Sequence, residues 1–231
     1  MLKTRIIPIL LTDGKGNVVK PIKFQRPYRI VGSLMQHIRV LEKRNVDELI
    51  LIDIEATPEN RLIDTEAIKA YTKELYCPVT LGGGIKSLED INRLLSAGAD
   101  KVAIKTNFEI IPQATFKFGS QAIVAILDFE EITDRCLETN TKWARQLEQW
   151  GAGEILLTDV KRDGTGEGYN TFLIECICKS VKIPVIASGG CIDQENMIDA
   201  LEAGAHAVAA GSMFLYMDIT PRKCAQFLKE K

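Results

Sequence analysis

Short apolar runs alternating with helical patterns organise this chain from end to end. Eight runs rich in β-branched residues read as strands: 5–11 (RIIPILL), 48–53 (ELILID), 78–82 (PVTLG), 101–105 (KVAIK), 122–127 (AIVAIL), 154–159 (EILLTD), 184–188 (PVIAS) and 207–211 (AVAAG). Between them, apolar residues return at helical spacing near 33–45, 62–76, 87–97, 109–118, 139–150, 171–180, 193–203 and 220–230. In SLEDINRLLSAGA, Ser87 predicts an N-cap with Asp90 three residues on, and Gly98 predicts a stop. The strands show almost no polar alternation, which indicates a parallel sheet covered by helices on its outer face. Eight such units predict an α/β protein, a single (β/α)8 barrel spanning residues 1–231.

The chain also repeats itself. At a fixed offset of 106, PVTLGGGI (78–85) aligns with PVIASGGCI (184–192), and DELILIDI (47–54) aligns with GEILLTDV (153–160). A repeat near half the chain length predicts two similar (βα)4 halves, about 1–118 and 119–231. Ligands of such barrels meet the loops at the strand C-termini. Gly83-Gly84 then closes the third strand and Gly189-Gly190 the seventh, where free backbone N–H groups can cradle a phosphate. Thr106 follows the fourth strand where Gly211-Ser212 follows the eighth, with Lys105 in place of a glycine. Gly84, Lys105 and Thr106 on one side, and Gly190, Gly211 and Ser212 on the other, would suit an elongated ligand with a phosphate at each end. The alternative is that these glycines only shape turns.

With a period of two, Arg5, Ile7, Ile9 and Leu11 share one face of the first strand. Glu48, Lys101 and Glu154 begin strands two, four and six in the same way. Two cations and two anions at the start of apolar strands can coexist inside a barrel only as a mutually neutralised ring.

Composition narrows the possibilities further. The 231 residues are 46% hydrophobic with a net charge of −2, which suits one barrel and offers no basic stripe for nucleic acid. No run reaches the roughly eighteen apolar residues of a membrane span, and MLKTRIIPILL reads as strand and loop rather than a signal peptide. Six cysteines show no metal-ligand spacing, and only His37 and His206 could assist them, so no metal and no cofactor are expected. Cys176 and Cys178 fall in an apolar helical stretch as core thiols, and a reduced, cytoplasmic chain is the default.

VDELILIDI, LGGGI, GADKVAI, FGSQAIV, IASGG and above all GAGEILLTDVKRDGTGEGY resemble the HisF family, the cyclase subunit of imidazole glycerol phosphate synthase. The resemblance covers nearly the whole chain. The sister isomerase family shares the two-half symmetry, but the strand-start charges favour HisF. The resemblance implies a barrel that takes ammonia from a separate HisH-like glutaminase, because nothing here resembles a glutaminase nucleophile elbow. Arg5, Glu48, Lys101 and Glu154 match the family's ammonia gate at the barrel floor; a structural plug is the alternative. Asp163 and Gly164 match its phosphate-holding sixth loop, which could equally be a tight turn, and Lys20 matches a lysine of its first loop, where a solvated lysine is the alternative.

The match breaks at the top of the barrel. The family's cyclisation rests on aspartates ending strands one and five, acting as general acid and base. Strand five supplies Asp128, but the matching position on strand one is Leu11. Asp13, two residues later on the same face, is the only substitute in sequence. Lys105 stands for the family's asparagine, Glu55 for its threonine, and the segment after Asp128 is too short for the family's hairpin. These departures imply a paralogue that receives ammonia but serves another acceptor, as in surface-sugar clusters that pair such a barrel with a sugar amidotransferase. Authentic cyclisation, a non-catalytic ammonia conduit and a HisA-like isomerase are the alternatives.

Overall fold

The computed structural model describes residues 4–44, 46–130 and 133–230. Ten strands form one sheet that closes on itself. Eight of them make the barrel: β1 (Arg5–Thr12), β4 (Leu49–Asp53), β5 (Val79–Gly82), β6 (Lys101–Ile104), β7 (Ile123–Phe129), β8 (Glu154–Asp159), β9 (Val185–Ser188) and β10 (Ala207–Ala210). All pair in parallel with their neighbours, and β1 closes the ring through Arg5–Pro8 against β10 and Ile9–Thr12 against β4. Each predicted strand is present, within a residue or two of its expected bounds.

Side-chain alternation divides the core as a closed parallel sheet requires. Ile7, Ile50, Ala103, Val124, Leu156 and Ile186 fill the barrel interior. The opposite faces of the strands pack under the helices, with Leu10, Leu51 and Leu81 on one side and Ile6, Ile155 and Val208 on the other. The helices present narrow apolar stripes to them. In α1 (Leu34–Lys43), Leu34, Ile38 and Leu41 are buried at spacings of four and three. In α3 (Leu88–Ser96), the Ser87 hydroxyl accepts from the Asp90 amide at 3.2 Å, and the Asp90 carboxylate accepts from the Ser87 amide at 3.0 Å. The predicted cap is thus a reciprocal capping box.

One element departs from the expectation. The stretch between β1 and α1, expected as an irregular loop, is an antiparallel hairpin of β2 (Asn17–Ile22) and β3 (Gln25–Ser33). β2 pairs with β1 at Leu11 and Thr12, so the hairpin extends the sheet upward and arches over the mouth. The segment after Asp128 includes residues 131 and 132, which lie outside the described residues.

Candidate functional site

The two ends of the barrel carry different chemistry. At the floor, the first residues of β1, β6 and β8 and the residue before β4 meet in a ring. Arg5 Nη1 lies 2.9 Å from Glu48 and 3.0 Å from Glu154, while Lys101 Nζ lies 2.8 Å from Glu48 and 3.2 Å from Glu154. Each cation therefore touches both anions, which is the neutralised arrangement that such a buried set requires. Burial works against the Arg5 charge, but Glu154 and Glu48 outweigh it and hold its pKa above the ordinary arginine value. Asp100 stands beside the ring, with its carboxylate accepting from the Val79 amide at 2.8 Å.

At the mouth lies a cavity of about 320 Å³. Its floor is apolar, formed by Ile9, Leu11, Ile52, Ile126 and Leu156. Asp128, near the end of β7, enters it, and the β1 residues that line the same cavity are Ile9 and Leu11, with Leu11 at the position matching Asp128. Lys105 Nζ sits 2.6 Å from Asp128, so this carboxylate is paired with an ammonium instead of a second carboxylate. Phe24 of the hairpin turn lies over the same ammonium at 6.0 Å.

Asp13 does not join them. Its carboxylate accepts from the Lys15 amide at 2.8 Å and the Asn17 side chain at 2.9 Å, turning the chain into β2 outside the cavity. Burial is the largest single influence and raises its pKa, but the Asn17 and Lys15 donors together prevail and hold it below the usual carboxylate value. The register argument placed Asp13 on the Leu11 face; the turn into the hairpin carries its side chain away.

The expected phosphate contacts fall into two places. Gly164, Gly190, Gly211 and Ser212 line one small polar cleft with Asp163 and Lys20. There Lys20 Nζ lies 3.1 and 3.2 Å from the two Asp163 oxygens, with its side chain almost fully buried. Gly190 has φ +95°, and a Cβ on it would fall 2.3 Å from the Gly168 carbonyl, so only glycine brings the chain this close. Gly84, Lys105 and Thr106 line the far side of the main cavity.

The repeat has a structural basis that sequence reading only half exposed. Asp53 ends β4 and Asp159 ends β8, and both are buried. Each carboxylate accepts from the backbone two and three residues on: Glu55 and Ala56 at 3.0 and 3.1 Å, Lys161 and Arg162 at 3.0 and 3.3 Å. Gly83 and Gly189 pack against the carbonyls of these same aspartates. Asp159 lies within the motif GAGEILLTDVKRDGTGEGY; Asp53, held also by Arg61 at 2.5 Å, was missed, although the 106-residue offset points to it. The hairpin residues Phe24 and Tyr28, which line the cavity, were also missed. Among the described residues, no group of three or more His, Cys, Asp or Glu side chains could hold a metal ion, and no helix is long and apolar enough to cross a membrane.

The model of the histidine biosynthesis protein family matches residues 5–220. The imidazole glycerol phosphate synthase subunit HisF of Dictyoglomus thermophilum is 40% identical over 247 residues, covering 100% of this chain and 97% of the relative. The chain belongs to the HisF family. The HisF subunit of Pyrobaculum aerophilum is likewise 40% identical, over 243 residues, covering 98% of this chain and 96% of the relative. A Campylobacter jejuni protein named, provisionally, as imidazole glycerol phosphate synthase subunit hisF2 is 38% identical over 235 residues, covering 96% and 94%.

Proposed function

We propose that this HisF-family barrel is a subunit of a glutamine amidotransferase, admitting ammonia from a separate HisH-like glutaminase at its floor and delivering it to a phosphorylated acceptor at its mouth. The best reading of the acceptor is a sugar, with a sugar amidotransferase as further partner and an acetamidino group as the product's new function. One observation carries that reading: Leu11 faces the cavity into which Asp128 projects, and Lys105 holds Asp128. Leucine cannot transfer a proton, so the two-carboxylate chemistry of cyclisation lacks a partner there. Asp128 and Lys105 then bind or orient the acceptor. Lys20, Asp163, Gly164, Gly190, Gly211 and Ser212 hold one phosphate, and Gly84 and Thr106 hold the other end.

A second reading is the authentic cyclase of histidine biosynthesis, favoured by full-length identity to proteins named as that subunit. A non-catalytic, ammonia-conducting partner that activates the glutaminase has the same floor and is a third. The assay is ammonium-dependent cyclisation of the histidine-pathway nucleotide by the purified chain, with rescue of a strain lacking its own cyclase. One missing acid–base group costs about 10²–10⁴-fold, so turnover should fall short of an active cyclase by at least that factor. Leu11→Asp should recover only part of it, because Lys105 remains on Asp128. Robust rescue by the unmodified chain would establish the cyclase reading instead.

A further inference from the structure

The hairpin over the mouth is fastened on both sides. Towards the second half of the barrel, Lys20 pairs with Asp163, and the Lys23 amide donates to the Asp163 carbonyl at 3.0 Å. Towards the first half, Arg26 of β3 forms an ion pair with Glu55, which follows β4. Glu55 is buried whereas Arg26 is largely exposed, so the carboxylate is the fixed member and the guanidinium comes to it.

Arg26 has a second partner. Its Nε donates to the Tyr28 hydroxyl at 3.4 Å, and its guanidinium lies 5.6 Å from the Tyr28 ring centre. Carboxylate, guanidinium and phenol thus form a chain from the barrel rim to the hairpin. Tyr28 sits at a boundary: with Val19 and Pro58 it lines both the mouth cavity and an outer groove. The other walls of that groove include Asp13, Arg26, Ile30 and Glu59. Tyr28, with Val19 and Pro58, therefore forms the partition between the mouth cavity and the outer groove.

We propose that Glu55 is a positioning residue that acts through Arg26 to hold Tyr28 and its hairpin as the closed side wall of the acceptor cavity. The wall limits how far an acceptor can extend towards the first half of the barrel, so the pair sets acceptor size as well as closure. Neither residue touches the apolar floor or Asp128, which separates wall-building from chemistry. The proposal rests on the reading of the mouth as an anion-holding acceptor site.

Amide hydrogen exchange on the intact chain tests it, with inorganic phosphate as probe. Glu55→Gln and Arg26→Met should each speed exchange across residues 17–33 by about two- to fivefold, the reach of a single exposed ion pair, while β5 to β10 stay unchanged. The reversed pair, Glu55→Arg with Arg26→Glu, should restore exchange to within about twofold of the original, which loss of packing alone would not do. Phosphate should slow exchange in the original chain and bind the single variants more weakly, because only the closed hairpin presents Lys20. Arg26 is exposed, so its variant does not endanger folding. Unchanged exchange in both single variants, or no restoration by the reversed pair, overturns the proposal. A hairpin that responds as expected in a chain that binds no phosphate leaves the wall intact and overturns the anion reading of the mouth.

Discussion

Asp13 and Asp128 show how far a residue's place in sequence differs from its reach. Asp13 follows β1 two residues beyond the position that matches Asp128, yet of the two only Asp128 enters the cavity, because Asp13 is consumed by the turn into β2. The depressed pKa of Asp13 has a sign: its contribution is present above the ordinary aspartate value of 3.8 and is lost as pH falls through the lower folded value. Amide exchange at residues 14–18, corrected for intrinsic rates, should therefore rise on acidification below about pH 4. Asp13→Asn should show that faster exchange already at neutral pH, with phosphate binding at the mouth kept. The cysteines offer a second residue-scale check. Burial pushes the Cys191 thiol up to about 12 and Cys224 to about 11, so almost no thiolate exists at neutral pH. Iodoacetamide at pH 8 should label half-buried Cys136 and Cys176 well before Cys191 and Cys224, read by mass spectrometry of peptides. Early labelling of Cys191 would mean that β9 and its following loop open far more readily than their packing implies.

At the scale of elements, the barrel strands were legible because burial on both faces leaves no polar alternation to confuse them. The glycine turns were legible because the repeat printed them twice. The hairpin was not. β3 reads QRPYRIVGS, with no fully buried residue, so no periodic apolar signal marks it. Pro21 and Pro27 further break the pattern that a strand would show. Its order comes instead from long-range partners, Asp163 and Glu55, which local sequence cannot announce. The cavity lining was legible in part: Asp128, Lys105 and Gly84, expected at strand ends, do line it, while Phe24 and Tyr28, delivered by the hairpin, were not foreseen. The glycine cradle allows a direct test of element geometry. Gly190→Ala places a Cβ against the Gly168 carbonyl at a positive φ, and should destabilise by about 1–3 kcal/mol. Phosphate binding should weaken with it, whereas Gly16→Ala, whose nearest neighbour is the Tyr71 hydroxyl at 3.7 Å, should spare the cradle. A lower melting temperature with unchanged phosphate affinity would show that the cradle is not where phosphate binds.

Across the whole molecule, the floor and the mouth are joined by an apolar interior only a few side chains deep, closed below by the floor ring. A ring in which every cation serves two anions resists the loss of any member. Replacing Lys101 by methionine leaves Glu48, almost fully buried, with Arg5 as its one remaining cation, and should cost on the order of 3 kcal/mol. Lys101→Arg keeps the charge and should recover most of that. A plug would show nothing more than this stability change. A gate coupled to a docked glutaminase should also change how the partner behaves, and that readout needs no knowledge of the acceptor. With a co-purifying HisH-like glutaminase, Lys101→Met should alter glutamine turnover or the share of released ammonia that escapes into solution by several-fold. Both should return towards the original in Lys101→Arg. If stability falls while glutaminase turnover and ammonia escape stay as they were, the ring is a structural floor and the proposed gate is overturned.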